Sequence, residues 1–296
     1  MNMFTPAFTI PYEIPMRSRI VVLPDVHRDL HKAISVLRLC NVIDESWNWM
    51  CYDTILVQLG DQIDGWKRDG QPTEHIHGRS SQLDIEVLMF FNKLSMQSKY
   101  YNSECISIIG NHEIMNVSGY LSYADLGGCP MCTQERDALF SPGSQLCKEL
   151  ATSRTCFLKI GDYLFCHAGL TPKHLDVFNG NPDVYNDIMR RFLMGSESGV
   201  DRNLENILIG TEGVLSHRHY SPQTITNSTL EDISYVLSKT GTKHMIIGHN
   251  TTPGNIPVYG VNRDLIVFDP GVSEAVSNQR PMALEITRDN ISAYCV

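Results

Sequence analysis

The feature that most constrains this chain is a recurring unit: a short apolar run that stops abruptly at proline, glycine, aspartate or histidine. Runs at 20–23, 54–59, 105–109, 163–166, 245–247 and 265–268 are largely apolar at consecutive positions rather than alternate ones. A strand of that pattern is buried on both faces. Between the runs, segments 30–40, 83–96, 182–193 and 230–238 show apolar residues at helical spacing. Strand alternating with helix predicts an α/β fold. The tail, 256–295, reads as strands joined by short turns. No repeat or clear linker divides the chain, so residues 1–296 are expected to form one domain. Polar segments near 65–80, 117–138 and 195–213 read as loop insertions on that frame.

Composition excludes some functions. A formal net charge of -9 disfavours nucleic-acid binding, which needs a basic stripe. Two bound divalent ions would bring that charge to about -5. No run approaches the ~20 apolar residues that span a bilayer, so no membrane partner is expected. The opening segment, interrupted by Pro6, Pro11, Glu13 and Pro15, lacks the order of a signal peptide, and a cytoplasmic location is expected. In that compartment most of the nine cysteines should be free thiols. Cys129 and Cys132 look like half a zinc knuckle or a redox pair, but no second C-x-x-C completes a four-thiolate site. His75, His77, His217 and His219 lie in polar segments and read as solvated.

The chemistry sits in short motifs that occur in order: Asp25-Val26-His27, Gly60-Asp61-Gln62-Ile63-Asp64, Gly110-Asn111-His112-Glu113, His167-Ala168-Gly169 and Gly248-His249-Asn250. Four of them stand at the C-terminal end of an expected strand, the edge where α/β sheets bind ligands. Any one motif is a weak signal, and a lone histidine is more often a satisfied core residue. Together they supply the donors of a two-metal site. Asp25, His27 and Asp61 suit a first ion; Asp61, Asn111, His167 and His249 suit a second. Sharing Asp61 would hold the ions ~3.5–4 Å apart, close enough for both to polarise one phosphate. Oxygen and nitrogen donors without thiolate fit manganese, iron or zinc. Water held between the ions, ionised near neutral pH, is the expected nucleophile. His112 adjoins Asn111 without being needed as a ligand, and is expected to protonate the leaving group as general acid. Asp64 can accept a hydrogen bond from His112 and keep it protonated.

These motifs in this order resemble the phosphoprotein phosphatase branch of the calcineurin-like metallophosphoesterases. Gly110-Asn111-His112-Glu113-Ile114-Met115-Asn116-Val117, Leu139-Phe140-Ser141-Pro142-Gly143 and His167-Ala168-Gly169-Leu170-Thr171-Pro172 resemble the Shewanella-like protein phosphatases in particular. The resemblance runs from about Arg19 to Ile286. It implies a four-layer α/β/β/α sandwich, a dinuclear centre and hydrolysis of phosphomonoesters on a phosphorylated protein or peptide. It also implies a preference for phosphotyrosine over phosphoserine or phosphothreonine, with Tyr120 and Tyr123 available to line a deeper pocket. Arg218 lines up with an arginine that grips the phosphate in related enzymes. At Asp64-Gly65-Trp66 most relatives read aspartate-arginine-glycine, and Pro24 and Arg28 replace glycines of the first motif. The missing arginine normally helps bind phosphate. Arg68 is expected to reach back in its place, in which case arginine restored at position 65 should compensate for its loss; the alternative is a solvated loop with Arg218 acting alone.

Competing readings remain at this point. A hydrolase of dinucleoside polyphosphates or other small molecules would use the same fold and metals. A non-catalytic scaffold would be expected to have lost ligands or the acid, and this chain retains both.

Overall fold

Strand residues alternate between two faces, and that alternation sorts the apolar side chains into three cores. In the computed structural model, which describes residues 9–68, 80–195, 200–288 and 290–295, two six-stranded sheets lie face to face. One sheet runs in the order β12 (Ile291–Cys295), β11 (Met282–Thr287), β2 (Arg19–Leu23), β3 (Thr54–Gln58), β4 (Glu104–Ile108), β5 (Arg154–Thr155). The other runs β1 (Glu13–Ile14), β6 (Phe157–Ile160), β7 (Tyr163–Cys166), β8 (His244–Ile247), β10 (Leu265–Val267), β9 (Val258–Tyr259).

Ile20 and Val22 of β2 point between the sheets, with Ile55, Val57, Ile106 and Ile108 facing Leu158, Phe165, Ile246 and Ile266. Their neighbours Val21 and Leu23 point the other way, onto α1 (Leu30–Leu39) and α2 (Ser80–Ser98). Leu164, Met245, Ile247 and Val267 turn to the outer face of the second sheet. There they meet helices that include α5 (Gln145–Ser153), α6 (Pro172–Val177), α7 (Asp183–Met194), α8 (Arg202–Ile209) and α9 (Asn227–Thr240). The result is the four-layer α/β/β/α sandwich implied by the resemblance. Each fully buried valine, leucine or isoleucine contributes roughly 1.5–3 kcal/mol.

Strands β2, β3 and β4 are mutually parallel, as are β7, β8 and β10. Their C-terminal ends therefore lie along common edges. All five motifs directly follow one of these strands, one more than expected from the sequence.

Two segments read as loops hold helices. α4 (Pro130–Phe140) begins inside 117–138, and α8 lies inside 195–213. α4 has few buried residues, Arg136 and Phe140, so its apolar periodicity is faint. α3 (Asn111–Val117) starts on the third motif itself. Cys129 and Cys132 form a disulfide at the start of α4. Positions i and i+3 there bring their Cα atoms to 5.3 Å, within the span such a bond needs. Cys40, Cys51, Cys105, Cys147, Cys156 and Cys166 form no disulfide, in line with the expectation that most of the nine are thiols. Residues 69–79, including His75, His77 and Arg79, lie outside the described residues. No helix among the described residues is long and apolar enough to cross a membrane.

Candidate metal centre

The turns after β2, β3 and β4 are laced together by their own backbone. Val26 and His27 both donate N–H to the Asp61 carbonyl, at 3.0 and 2.8 Å, and Arg28 N donates to Gln62 O at 2.9 Å. Buried Glu113 ties in the third turn: one carboxylate oxygen accepts from Gly110 N (2.7 Å) and Asp61 N (3.2 Å), the other from Gln62 N (2.7 Å). These turns are so close that a Cβ on Gly110 would lie 2.1 Å from Asp61 Oδ1. His27, Asp61, Asp64 and His249 have φ of 41°, 50°, 69° and 62°. This left-handed region disfavours such side chains, and strain of that kind clusters at functional sites.

Asp61 stands at the centre. Its Oδ2 lies 3.3 Å from His167 Nε2, 3.7 Å from His27 Nε2 and 3.8 Å from His112 Nε2. Two groups sharing Asp61 could each hold a metal ion: His27, Asp61 and His112, and Asp61, His167 and His249. Within each group the ligand atoms all lie within 4.8 Å of one another, and every residue is buried. Asn111 Oδ1 lies 3.0 Å from His167 Nε2, beside the second group. Asp25 instead faces the His249 backbone, accepting its N–H at 3.1 Å. His112, assigned from sequence to proton transfer, is also among the first group's potential donors, and Asp25 Oδ1 lies 4.0 Å from His167 Nδ1 at the same centre.

The surroundings suit a metal. His167 Nδ1 donates to Leu59 O (2.8 Å), which fixes the ring with Nε2 turned toward Asp61. His27 Nδ1 approaches Ile63 O (3.3 Å), and His249 Nε2 donates to Ser216 O (3.1 Å), again freeing the other nitrogen. Burial pushes the Asp25 carboxyl well above the usual carboxylate range, and the neighbouring Asp269 and Asp61 add to it. Burial also pushes the His27 and His249 imidazoles down, and a buried group of carboxylates and imidazoles of this kind is completed electrically by cations. The donors are nitrogen and oxygen, with no thiolate, as for manganese, iron or zinc.

His112 is set by a chain of buried partners. Its Nδ1 donates to Asp64 Oδ2 at 2.8 Å. Asp64 also accepts from Asn116 Nδ2 (2.9 Å) and from Arg136 Nη2 (2.8 Å). Arg136 is fully buried and bonds Asp84 Oδ2 (2.7 Å) and Asn116 Oδ1 (2.6 Å) as well. Burial lowers the His112 pKa, but Asp61 and Asp64 outweigh it and hold the imidazole above its ordinary value. Arg136 and Asp84 were not singled out from sequence, and Asn116 and Asp269 were given no role there. The only available signal was Asp269-Pro270-Gly271 following an apolar run.

The substrate-side residues are placed unequally. Arg68 lies against the centre, with Nη2 3.4 Å from both His112 Nε2 and His27 Nδ1. Tyr123 packs edge-on to His112, ring centroids 5.0 Å apart, and its face carries the Arg68 guanidinium at 4.4 Å. Arg218 is exposed and donates to the His249 carbonyl and to Asn250 Oδ1 (3.3 Å). Tyr120 is exposed with its hydroxyl 3.4 Å from Arg202, so the structure does not bring it to the centre. His217, read as solvated, is buried, whereas His219 is half-buried and bonds Asp232 at 2.9 Å.

No protein-family profile matches the chain. Shewanella-like protein phosphatase 2 of Arabidopsis thaliana is 26% identical over 318 residues, covering 92% of this chain and 76% of that protein. Shewanella-like protein phosphatase 1 of Plasmodium berghei (strain Anka) is 22% identical over 281 residues, covering 88% and 68%. Among solved structures, a cold-active protein-tyrosine phosphatase of a psychrophilic Shewanella sp. matches with a TM-score of 0.72 at 20% identity, over 97% of this chain and 83% of that one. A protein serine/threonine phosphatase from Saccharomyces cerevisiae matches at 0.54 and 13%, over 98% and 83%. The structures speak for the fold, and the sequences for descent. The chain is a homologue of the Shewanella-like protein phosphatases, built on the calcineurin-like metallophosphoesterase fold.

Proposed function

We propose that this chain is a phosphoprotein phosphatase that hydrolyses phosphomonoesters with two divalent metal ions. The observation that carries the reading is the sharing of buried Asp61 by two His/Asp groups, with the His112–Asp64 pair beside it. His27, Asp61, His167 and His249 would hold the ions, with Asp25, Asn111 and His112 at hand. When bound, the ions supply Lewis acidity and an ionised water at neutral pH.

The remaining work falls to the side chains. His112 donates from Nε2 to the leaving oxygen of the ester, since its Nδ1 is already committed to Asp64. Asp64 fixes the tautomer and stabilises the charged ring, and is itself held by Arg136 and Asn116. Tyr123 presents an aromatic edge beside His112, which supports a preference for phosphotyrosine over phosphoserine. The resemblance to the family implies the same preference.

The test is a comparison of substrates. Manganese-reconstituted protein is assayed on matched phosphotyrosine and phosphoserine peptides and on dinucleoside polyphosphates. The highest kcat/KM is expected for phosphotyrosine. A higher value for phosphoserine would overturn the preference, and a higher value for the dinucleotides would overturn the protein-phosphatase reading itself.

A further inference from the structure

Position 65 has no room for a side chain. A Cβ there would lie 2.2 Å from Arg28 Nε and 2.5 Å from its Cζ. Arg28 is not free to swing away. Its Nη1 donates to Ser80 Oγ (2.7 Å), its Nη2 pairs with Asp125 (2.9 Å), and its side chain is 6% exposed. The guanidinium that fills this space is thus committed to a carboxylate.

The cation that faces the centre comes from three residues further on. Arg68 is pinned at its backbone, where N donates to Ala275 O (2.9 Å), and at Nη1, which donates to Trp66 O (2.8 Å). Tyr123 supports the flat face of the guanidinium. Nη2 is left pointing at His27 and His112, 3.4 Å from each. Among the described residues no carboxylate lies within ion-pair distance of Arg68. A half-buried guanidinium with no carboxylate partner among the described residues, its Nη2 turned toward a general acid and a metal ligand, is built to receive an anion.

Resting on the phosphatase reading above, we infer that Arg68 is the phosphate-gripping residue of this enzyme, donating from Nη2 to a non-bridging phosphoryl oxygen, and that Arg28 and Gly65 form a matched pair that moves the guanidinium from position 65 to position 68. The expectation that arginine at position 65 alone would compensate for loss of Arg68 does not survive this geometry. The incoming side chain would meet the anchored Arg28. Arg218 has a lesser part, because it is exposed, with its Nη1 directed to the His249 carbonyl and Asn250.

The probe is inorganic phosphate, measured by calorimetric titration of the manganese-loaded protein and as a competitive inhibitor of p-nitrophenyl phosphate hydrolysis. Arg68→Ala should weaken phosphate roughly 10-fold or more by both measures, the scale of a lost charge-assisted hydrogen bond. Its metal content and melting temperature should match wild type. Arg218→Ala should cost less. In the Arg68→Ala background, Gly65→Arg alone should recover nothing, whereas Gly65→Arg with Arg28→Gly should recover phosphate affinity in part. Unchanged phosphate affinity in Arg68→Ala would overturn the inference. Recovery by Gly65→Arg with Arg28 intact would overturn the pairing. Should Arg68→Ala lose metal, Arg68→Lys decides, since it keeps the stem and charge without the fork: several-fold weaker phosphate supports the inference, and unchanged affinity overturns it. A wild-type protein without phosphomonoesterase activity would refute the underlying reading instead, which the same assay reports separately.

Discussion

At the scale of the residue, the distinctive feature is how much is spent on one imidazole. His112 is oriented by Asp64, Asp64 by Arg136 and Asn116, and Arg136 by Asp84. His112→Asn is therefore expected to lower kcat by roughly 10²–10⁴ on an alkyl phosphate, whose leaving group needs a proton. The loss should shrink on p-nitrophenyl phosphate, and equal losses on both would count against the acid role. Metal content must be measured alongside, because His112 also stands among the first group of potential ligands. Arg136→Met tests the support. It leaves Asp64 and Asp84 buried without their cation, so a destabilisation of about 3–5 kcal/mol is expected in denaturant unfolding. A change below about 1 kcal/mol would show that the carboxylates find other partners. Much of this site was legible in the sequence because metal ligands need strand-end aspartates, asparagines and histidines that stand out in text. Arg136 was not, because it reaches Asp64 across 72 residues from a helix with little apolar pattern.

At the scale of the element, strands were easier to read than helices. β2, β3, β4, β7, β8 and β10 are buried on both faces and appear as plain apolar runs. α3 and α8 are short, and α3 buries polar site residues such as Asn111, His112, Glu113 and Asn116, which hides its period. The segment between α8 and α9 carries a pH dependence of its own. His217 is buried there, with Nε2 donating to Gly169 O at 3.1 Å and its ring 5.0 Å from that of His174. Burial pulls its pKa down to about 3, and the repulsion of His174 adds to the effect. The folded chain keeps this ring neutral, while the unfolded chain binds a proton below about 6.5. Stability from this group is thus complete above that pH and falls as pH drops toward 3, by about 2 kcal/mol at pH 5. Urea unfolding of metal-free protein at pH 7 and pH 5 should show the loss. His217→Gln should reduce the difference between the two pH values, and an identical difference in the variant would contradict the assignment.

At the scale of the whole molecule, two sheets and their helices serve mainly to hold five turns at one edge. The inter-sheet core is apolar from Ile20 to Phe268, so the turns that carry Asp25, Asp61, Asn111, His167 and His249 sit on a rigid base. The candidate ligands come from both sheets, with Asp61 following β3 of one and His167 following β7 of the other. A shared metal pair would then also join the two halves of the sandwich and raise the melting temperature of the loaded protein. The measurement that tests the account most directly is metal content and phosphatase activity together, in wild type and Asp61→Asn. Wild type should bind about two divalent ions per chain, lose activity on chelation and regain it with manganese. Asp61→Asn should lower occupancy of both positions and reduce activity more than substitution of Asp25 or Asn111. Full activity in a demonstrably metal-free protein, or an Asp61→Asn variant that keeps both ions and wild-type turnover, would contradict it.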